Sequence, residues 1–304
     1  MIGIAAKHSK LEWDMLGTGM SKDELCKQYS EKGQDVKRIL SSHDRQIRSI
    51  ESILDAVGDV EIIDMINIDD AEKVPELDTI ISIGGDNFFQ KCAFYFPDAY
   101  FVGVNSDTQT SHGALLNFDY ISLQKNISDI VKGNFEAEYW TKTATTLNGN
   151  RLEDTTCTLA LTIKTTDMMS RYLLRLNDEQ EEQKATGILV ATGAGAGKGA
   201  WYRNAGLYLP QVKSGLYPTI TSAFPKEARM LRTITREPMG GEDCEYRWLN
   251  HTVMDEEELR LVYWTHDPSE LSIDSIERYD VNEGDVLAFK ISDNKLKVIE
   301  NPNV

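Results

Sequence analysis

Two glycine-rich segments carry the residue types that can do chemistry in this chain: Asp78 to Gln90, DTIISIGGDNFFQ, and Gly187 to Gly206, GILVATGAGAGKGAWYRNAG. In the first, an apolar β-branched run stops at Gly84-Gly85-Asp86. The glycines let backbone come close to a ligand, and their amides can meet phosphate oxygens. An Asp held beside them can take a hydroxyl proton or organise a metal, and the two together point to phosphoryl transfer. Alone, Gly-Gly-Asp is also an ordinary strand-to-loop exit. In the second segment, alternating Gly and Ala leave amides unshielded around Lys198, so the loop can wrap a flat or anionic group. It is not a Walker A loop, because Thr192 stands six before Lys198 and Gly199 follows it. Nor does it lie between the first strand and helix of a βαβ unit, as a Rossmann fingerprint requires. Its bland alternative is a flexible glycine loop.

The elements that must position these segments follow from periodicity. Met1 to Ala6 reads as a strand. After a polar segment comes a helix through Val36, Ile39, Leu40, Ile47, Ile50, Ile53 and Leu54, ended by Gly58. Strands are expected over Val60 to Ile66, Thr79 to Ile83 and Tyr100 to Val104, and helices from Phe88 to Phe94 and Ser122 to Lys132. This alternation means a parallel sheet covered by helices, with ligands at the carboxyl ends of strands, where Gly84, Gly85, Asp86 and Asn105 fall. Beyond Gly133 the pattern turns to β runs: Glu138 to Leu147, Thr155 to Lys164, Ser170 to Asn177, Gly187 to Ala191, Leu259 to Thr265 and Val286 to Ile291, with a hairpin rhythm over Val281 to Glu300. The fold class expected is an α/β N-terminal domain with a parallel sheet, residues 1–133, followed by a β-rich C-terminal domain, residues 134–304.

A chain of 304 residues is long enough for two cores. Its net charge of -17 argues against a nucleic-acid or anionic-membrane partner, which a lysine and arginine excess would attract. Cys26, Cys92, Cys157 and Cys244 form neither a CxxC pair nor a disulfide framework, so reduced thiols are expected. No signal-like apolar region opens the sequence, and no run is long enough to cross a bilayer, which leads to a cytoplasmic expectation. No His, Cys and carboxylate set has metal-ligand spacing. A magnesium ion carried by phosphates needs only one or two protein oxygens, Asp86 first and Asp107 as a weaker candidate. His43 and His112 read as surface or structural histidines. The acidic runs Asp178 to Glu182 and Asp255 to Glu258 read as solvated turns or helix ends.

In order, IGGDNFFQ at 83–90, VGVNSDTQTSHGAL at 102–115 and GILVATGAGAGKGAWYRN at 187–204 resemble three successive motifs of the NAD kinase family. The likeness is closest to the branch that includes the mitochondrial NAD kinases of animals. There the GVN strand also runs into an acidic, Ser-rich loop, and the TGxG loop is followed by a lysine and Ala-Trp. Lys32-Gly33 with His43, Ser170-Arg171 and Arg236-Glu237-Pro238 add to it. The resemblance implies an active site between the two domains and transfer of the terminal phosphoryl of ATP, or of polyphosphate, to the 2'-hydroxyl of the adenosine ribose of NAD. Asp86 would be the catalytic base. Gly84, Gly85 and Asn87 would lie at the donor phosphates with magnesium, and Asn105 at the neighbouring strand end. Thr192, Gly193, Gly195, Ala200, Trp201 and Asn204 would line the dinucleotide site, and Lys198 would either neutralise a phosphate there or point into water. Such proteins commonly associate as homo-oligomers.

Two departures bear on substrate. Asn87-Phe88 replaces the usual Gly-Thr after Gly-Gly-Asp, and the family's Asn-acid pair falls on Ala160-Leu161, whose side chains cannot hydrogen-bond. A site built to pair polar groups loses discrimination when they vanish. A non-catalytic or redirected descendant that binds a nucleotide as sensor, sequestering protein or partner subunit is therefore the alternative to an NAD kinase. A kinase for another hydroxylated substrate, such as a lipid or sphingoid base, is a third reading that the Ala-Trp disfavours.

Overall fold

The computed structural model of the chain describes residues 1–57, 61–63, 77–165, 167–206, 223–240 and 245–302, with 61–63 in backbone only. The expected helix end at Gly58, positions 60 and 64–66 of the expected second strand, and Cys244 lie outside the described residues. Two compact units are present, Met1–Glu138 with Lys297–Val304, and Tyr139–Leu296. The closing residues thus belong with the N-terminal half.

The first unit opens with β1 (Ile2–Ala6), whose apolar run is buried. The polar segment after it is not a loop. It forms α1 (Lys10–Thr18) and α2 (Lys22–Glu31). Each begins with a capping box, Ser9 with Glu12 and Ser21 with Glu24, in which the serine hydroxyl takes the N3 amide and the glutamate takes the serine amide. Few apolar residues mark these helices, but Leu11, Leu25 and Tyr29 bury together under Val36, Ile39 and Leu40 of α3 (Val36–Val57). β2 (Glu61–Ile63), β3 (Thr79–Gly84), α4 (Asp86–Tyr95), β4 (Tyr100–Asn105), β5 (Phe118–Asp119) and α5 (Tyr120–Val131) complete the αβ series. The strands run parallel in the order β2-β1-β3-β4, with Ile81 opposite Ile4 and Val102. Ile53 of α3 and Leu123, Ile127 and Ile130 of α5 pack with Ile4, Ile81, Ile83, Val102 and Val104. That is the helix-covered parallel sheet expected of continuous apolar strands.

The second unit is β-rich, as the sequence indicates. β6 (Ala137–Leu147) and β7 (Asn150–Arg151) turn over Asn148-Gly149. β8 (Thr158–Ile163), β9 (Ser170–Leu176), β10 (Glu179–Ala185) and β11 (Gly187–Ala191) follow, then α6 (Trp201–Gly206). β12 (Met230–Arg236), β13 (Asn250–Met254), β14 (Leu259–Tyr263), β15 (Ser269–Ile273), β16 (Glu277–Val281) and β17 (Val286–Ile299) end the series. One antiparallel sheet runs β13-β12-β11-β8-β15-β16, and β11 is buried along its whole length in it.

Two expectations are corrected here. Glu179 to Glu182 is neither a turn nor a helix end. It belongs to β10, paired antiparallel to β9 across Asn177-Asp178, with Asn177 in the left-handed region at φ 52°. Buried Gln183 accepts a hydrogen bond from Thr235 Oγ1 at 2.8 Å, and Glu181 accepts the amides of Arg247 and Trp248, so this polar strand is held by specific partners. The hairpin rhythm over Val281 to Glu300 resolves as the single 14-residue strand β17. Its first residues pair antiparallel with β14, and Lys297 and Val298 pair parallel with Tyr100 and Phe101.

Candidate functional site

In the first unit β3 and β4 end side by side, with Gly84 opposite Asn105. Gly85 caps α4 in an extended conformation, and Asp86 is the first helical residue. The leading amides of a helix have no intrahelical acceptor, so the turn offers donors to an anion. Gly84 fits tightly, since a Cβ there would lie 2.8 Å from Phe88 Cδ1. Asn87 is exposed and Phe88 buried, so the departure from Gly-Thr places the amide outward and the ring in the core.

The Asp86 carboxylate is gripped by the loop that leaves β4. The Ala114 amide donates to Oδ2 at 3.1 Å and the Leu115 amide to Oδ1 at 2.8 Å. Each oxygen keeps a second lone pair. The loop is in turn organised by Asn105, whose Nδ2 donates to the Ser111 carbonyl while its Oδ1 accepts the Asp107 amide, both at 3.1 Å. Gly113 stands at φ 58°, and a Cβ there would lie 2.6 Å from Asn105 Nδ2. Only glycine passes that point without strain.

Asp107 anchors the same loop to α3. It takes Arg45 in a bidentate pair at 2.7 and 3.0 Å, Ser42 Oγ at 2.7 Å and Thr110 Oγ1 at 2.6 Å. Burial works against its ionisation, but the bonds from Arg45, Ser42 and Thr110 outweigh it and hold the carboxyl well below the usual range. These partners occupy Asp107, which leaves Asp86 as the carboxylate with room for a cation. Among the described residues no group of three or more His, Cys, Asp and Glu side chains gathers as a cage. With a lone pair left on each oxygen, Asp86 fits a magnesium ion carried in on phosphate oxygens. His43 Nδ1 lies 2.7 Å from Ser9 Oγ, and His112 is exposed.

The remaining candidates come together in the second unit. Beyond β11, Thr192 is fully buried, with Oγ1 donating to the Thr156 carbonyl at 2.5 Å and accepting the Gly195 amide at 3.3 Å. A Cβ on Gly193 would lie 2.1 Å from the Pro225 carbonyl oxygen, and one on Gly195 would lie 2.0 Å from that of Cys157. These glycines therefore admit the protein's own backbone. Ala194–Ala196 forms a buried 3-10 turn, so that part of the loop is compact rather than open. Beyond it Lys198 is exposed, Ala200 partly so, and Trp201 and Asn204 face outward from α6. Trp201 is 43% exposed, with the Arg236 guanidinium 4.8 Å from its ring centre. Ala160 and Leu161 are buried in β8 between β11 and β15.

Asp274 is the residue that motif reading misses. Buried at the turn after β15, at φ 49°, its carboxylate accepts the amides of Thr156, Cys157 and Thr158 at 2.7, 2.9 and 2.8 Å. Burial pushes its carboxyl up, and the three amides offset this only in part. The carbonyls of Thr156 and Cys157 hold Thr192, so Asp274 sets the base of the glycine loop. The one sequence signal was an Asp-Ser pair between two apolar alternations.

No protein-family model matches the chain, and no curated protein matches it by sequence. Among solved structures, an NAD kinase from Archaeoglobus fulgidus in complex with ATP is similar at a TM-score of 0.62 and 15% identity, over 100% of this chain and 95% of that one. The yeast NADH kinase complexed with NADH is similar at a TM-score of 0.58 and 13% identity, over 74% of this chain and 63% of that one. What these solved structures share with this chain is its architecture, and the chain has the fold of the NAD kinases.

Proposed function

We propose that the chain is an NAD kinase, transferring the terminal phosphoryl of ATP, or of polyphosphate, to the 2'-hydroxyl of the adenosine ribose of NAD. The observation that carries the reading is Asp86, fixed through both oxygens at the end of β3 with lone pairs to spare, in a chain with this fold. In the reaction Asp86 accepts the hydroxyl proton, the ribose oxygen forms a bond to the terminal phosphorus, and the bond from that phosphorus to the bridging oxygen breaks, releasing ADP. The amides opening α4 steady the donor phosphates, and exposed Trp201 offers a face on which a base of the dinucleotide stacks. Asp86, with the phosphate oxygens, would hold a magnesium ion arriving with ATP, which would neutralise phosphate charge. The reading includes a cytoplasmic homo-oligomer with no nucleic-acid or membrane partner. Among the described residues no helix is long and apolar enough to cross a membrane.

Ala160 and Leu161 favour a second reading, a redirected or non-catalytic nucleotide binder, because neither can orient an adenosine ribose by hydrogen bonds. Incubation with ATP, magnesium and NAD, with Asp86→Asn in parallel, separates the two. NADP formation that disappears in the variant supports the kinase. Saturable binding of NAD without NADP supports the binder.

A further inference from the structure

We infer that the helical face of the first unit carries a binding cavity for a phosphate-bearing small molecule, set against the loop that grips Asp86. The cavity measures about 390 Å³, within the range of about 300–1,000 Å³ usual for small-molecule sites. Its wall combines Lys10 of α1, Arg38 and His43 of α3, the amides of Gln34 and Gln46, and the apolar side of Ile39.

The charge of that wall selects the ligand. In a chain of net charge -17, this lining holds two permanent cations and an imidazole against one carboxylate, Asp35. Asp35 accepts the Arg38 amide at 3.0 Å, so it caps α3 and part of its charge is answered by the helix. Lys10 is shared with Asp14 at 2.5 Å, whereas the Arg38 guanidinium is exposed and makes no ion pair among the described residues. A guanidinium fork matches phosphate oxygens in pairs, and a second cation beside it suits a polyanion better than a lone carboxylate. Gln34 and Gln46 suit hydroxyls or base edges on the rest of the molecule.

Position ties the cavity to Asp86. Thr110 and Ser42 line it, and their hydroxyls donate to Asp107. The Asp107 carbonyl accepts the amides of Thr110 and Ser111, and the same loop ends in the Ala114 and Leu115 amides on Asp86. An occupant touching Thr110 thus bears on the segment that fixes the carboxylate. The phosphate can belong to a nucleotide donor or to a separate phosphorylated metabolite.

The test is calorimetric titration of the full chain with inorganic pyrophosphate, without NAD, ATP or metal. Saturable binding is expected, weakened at least about tenfold by Arg38→Glu and kept in Asp86→Asn. No binding to the wild-type chain, or binding that Arg38→Glu leaves intact, overturns the site. Should Arg38→Glu fail to fold by circular dichroism, Arg38→Gln is read in its place. Competition by ATP identifies the nucleotide as the source of the phosphate, and pyrophosphate binding indifferent to ATP identifies a separate metabolite. NADP formation does not enter the readout, so failure of the kinase reading leaves this result standing.

Discussion

The Leu115 amide donates to Asp86 Oδ1 at 2.8 Å, so the carboxylate at the end of β3 is oriented by a loop that leaves β4. Two chain segments 29 residues apart therefore define one reactive group. Replacing Asp86 by Asn keeps the shape but turns an NH2 toward one of the two amides. The expected outcome is a fall of about 10²–10⁴-fold in kcat for NADP formation. Urea denaturation is expected to show a loss of about 1–3 kcal/mol from the amide left unpaired. Near-normal kcat in Asp86→Asn would remove the general base from the mechanism.

Gly113→Ala tests the loop without touching the carboxylate. The new Cβ meets Asn105 Nδ2 and sits in a left-handed backbone, which costs about 1–2 kcal/mol. Activity is expected to fall more than stability, because the displaced segment carries the Ala114 and Leu115 amides. A variant that loses stability but keeps full kcat would show that the loop does not set Asp86.

Asp107 makes stability depend on acid. Its carboxyl lies below the ordinary range when folded, so the ionised form stabilises the fold at pH values above about 4. That contribution is lost as the pH falls from there through the depressed folded value. Arg45→Ala removes the bidentate partner and is expected to cost about 2–4 kcal/mol at neutral pH, less than a fully buried pair because Arg45 is partly exposed. Denaturation curves from neutral to acidic pH should show a shallower acid loss in the variant than in the wild-type chain. An identical acid slope would count against Asp107 as its source.

Asp274→Asn leaves at least one of three buried amides without an acceptor, at a cost of about 1–3 kcal/mol. Since those amides belong to the segment whose carbonyls hold Thr192, the expected kinetic signature is a raised KM for NAD with kcat changed less. Equal KM values in a folded variant would confine Asp274 to stability.

Trp201→Ala removes an exposed ring and its contact with Arg236, worth about 0.5–1 kcal/mol. Stability is expected to change little and the KM for NAD to rise. An unchanged KM would leave the Arg236 contact as the ring's only role.

The parallel sheet and the Gly-Gly-Asp turn were legible because buried parallel strands announce themselves as mostly apolar runs, as Thr79 to Ile83, interrupted by Ser82, and Tyr100 to Val104 do. The helices α1 and α2 were not, since three buried residues are too few for a periodic signal. Their capping boxes at Ser9 and Ser21 were the readable sign. β10 escaped notice because its inward positions include Gln183, a polar side chain whose oxygen accepts from Thr235 of a distant strand and whose Nε2 donates to Glu181. Within the candidate site, residue types were visible but purposes were not. Gly193 and Gly195 read as open backbone for a ligand, whereas carbonyls of Pro225 and Cys157 occupy the space beside them. Asp274 acts from more than 100 positions away on the segment it holds, a separation no local pattern encodes.

The parallel pairing of Lys297 and Val298 with β4 also sets the order in which this protein can mature. Everything else in the first unit is synthesised early, yet Ile299 packs into its core and accepts from Asn117, and Asn301 donates back to the Asn117 carbonyl. Until Lys297 and Val298 dock, β4 presents a bare edge beside Tyr100 and Phe101, and the closure it awaits spans nearly 200 residues. Long-range pairing of this kind is slow and exposes edges to wrong partners. Docking of Lys297 and Val298 on β4 is therefore the expected late step in folding of the first unit, when a chain that lacks it is most open to aggregation.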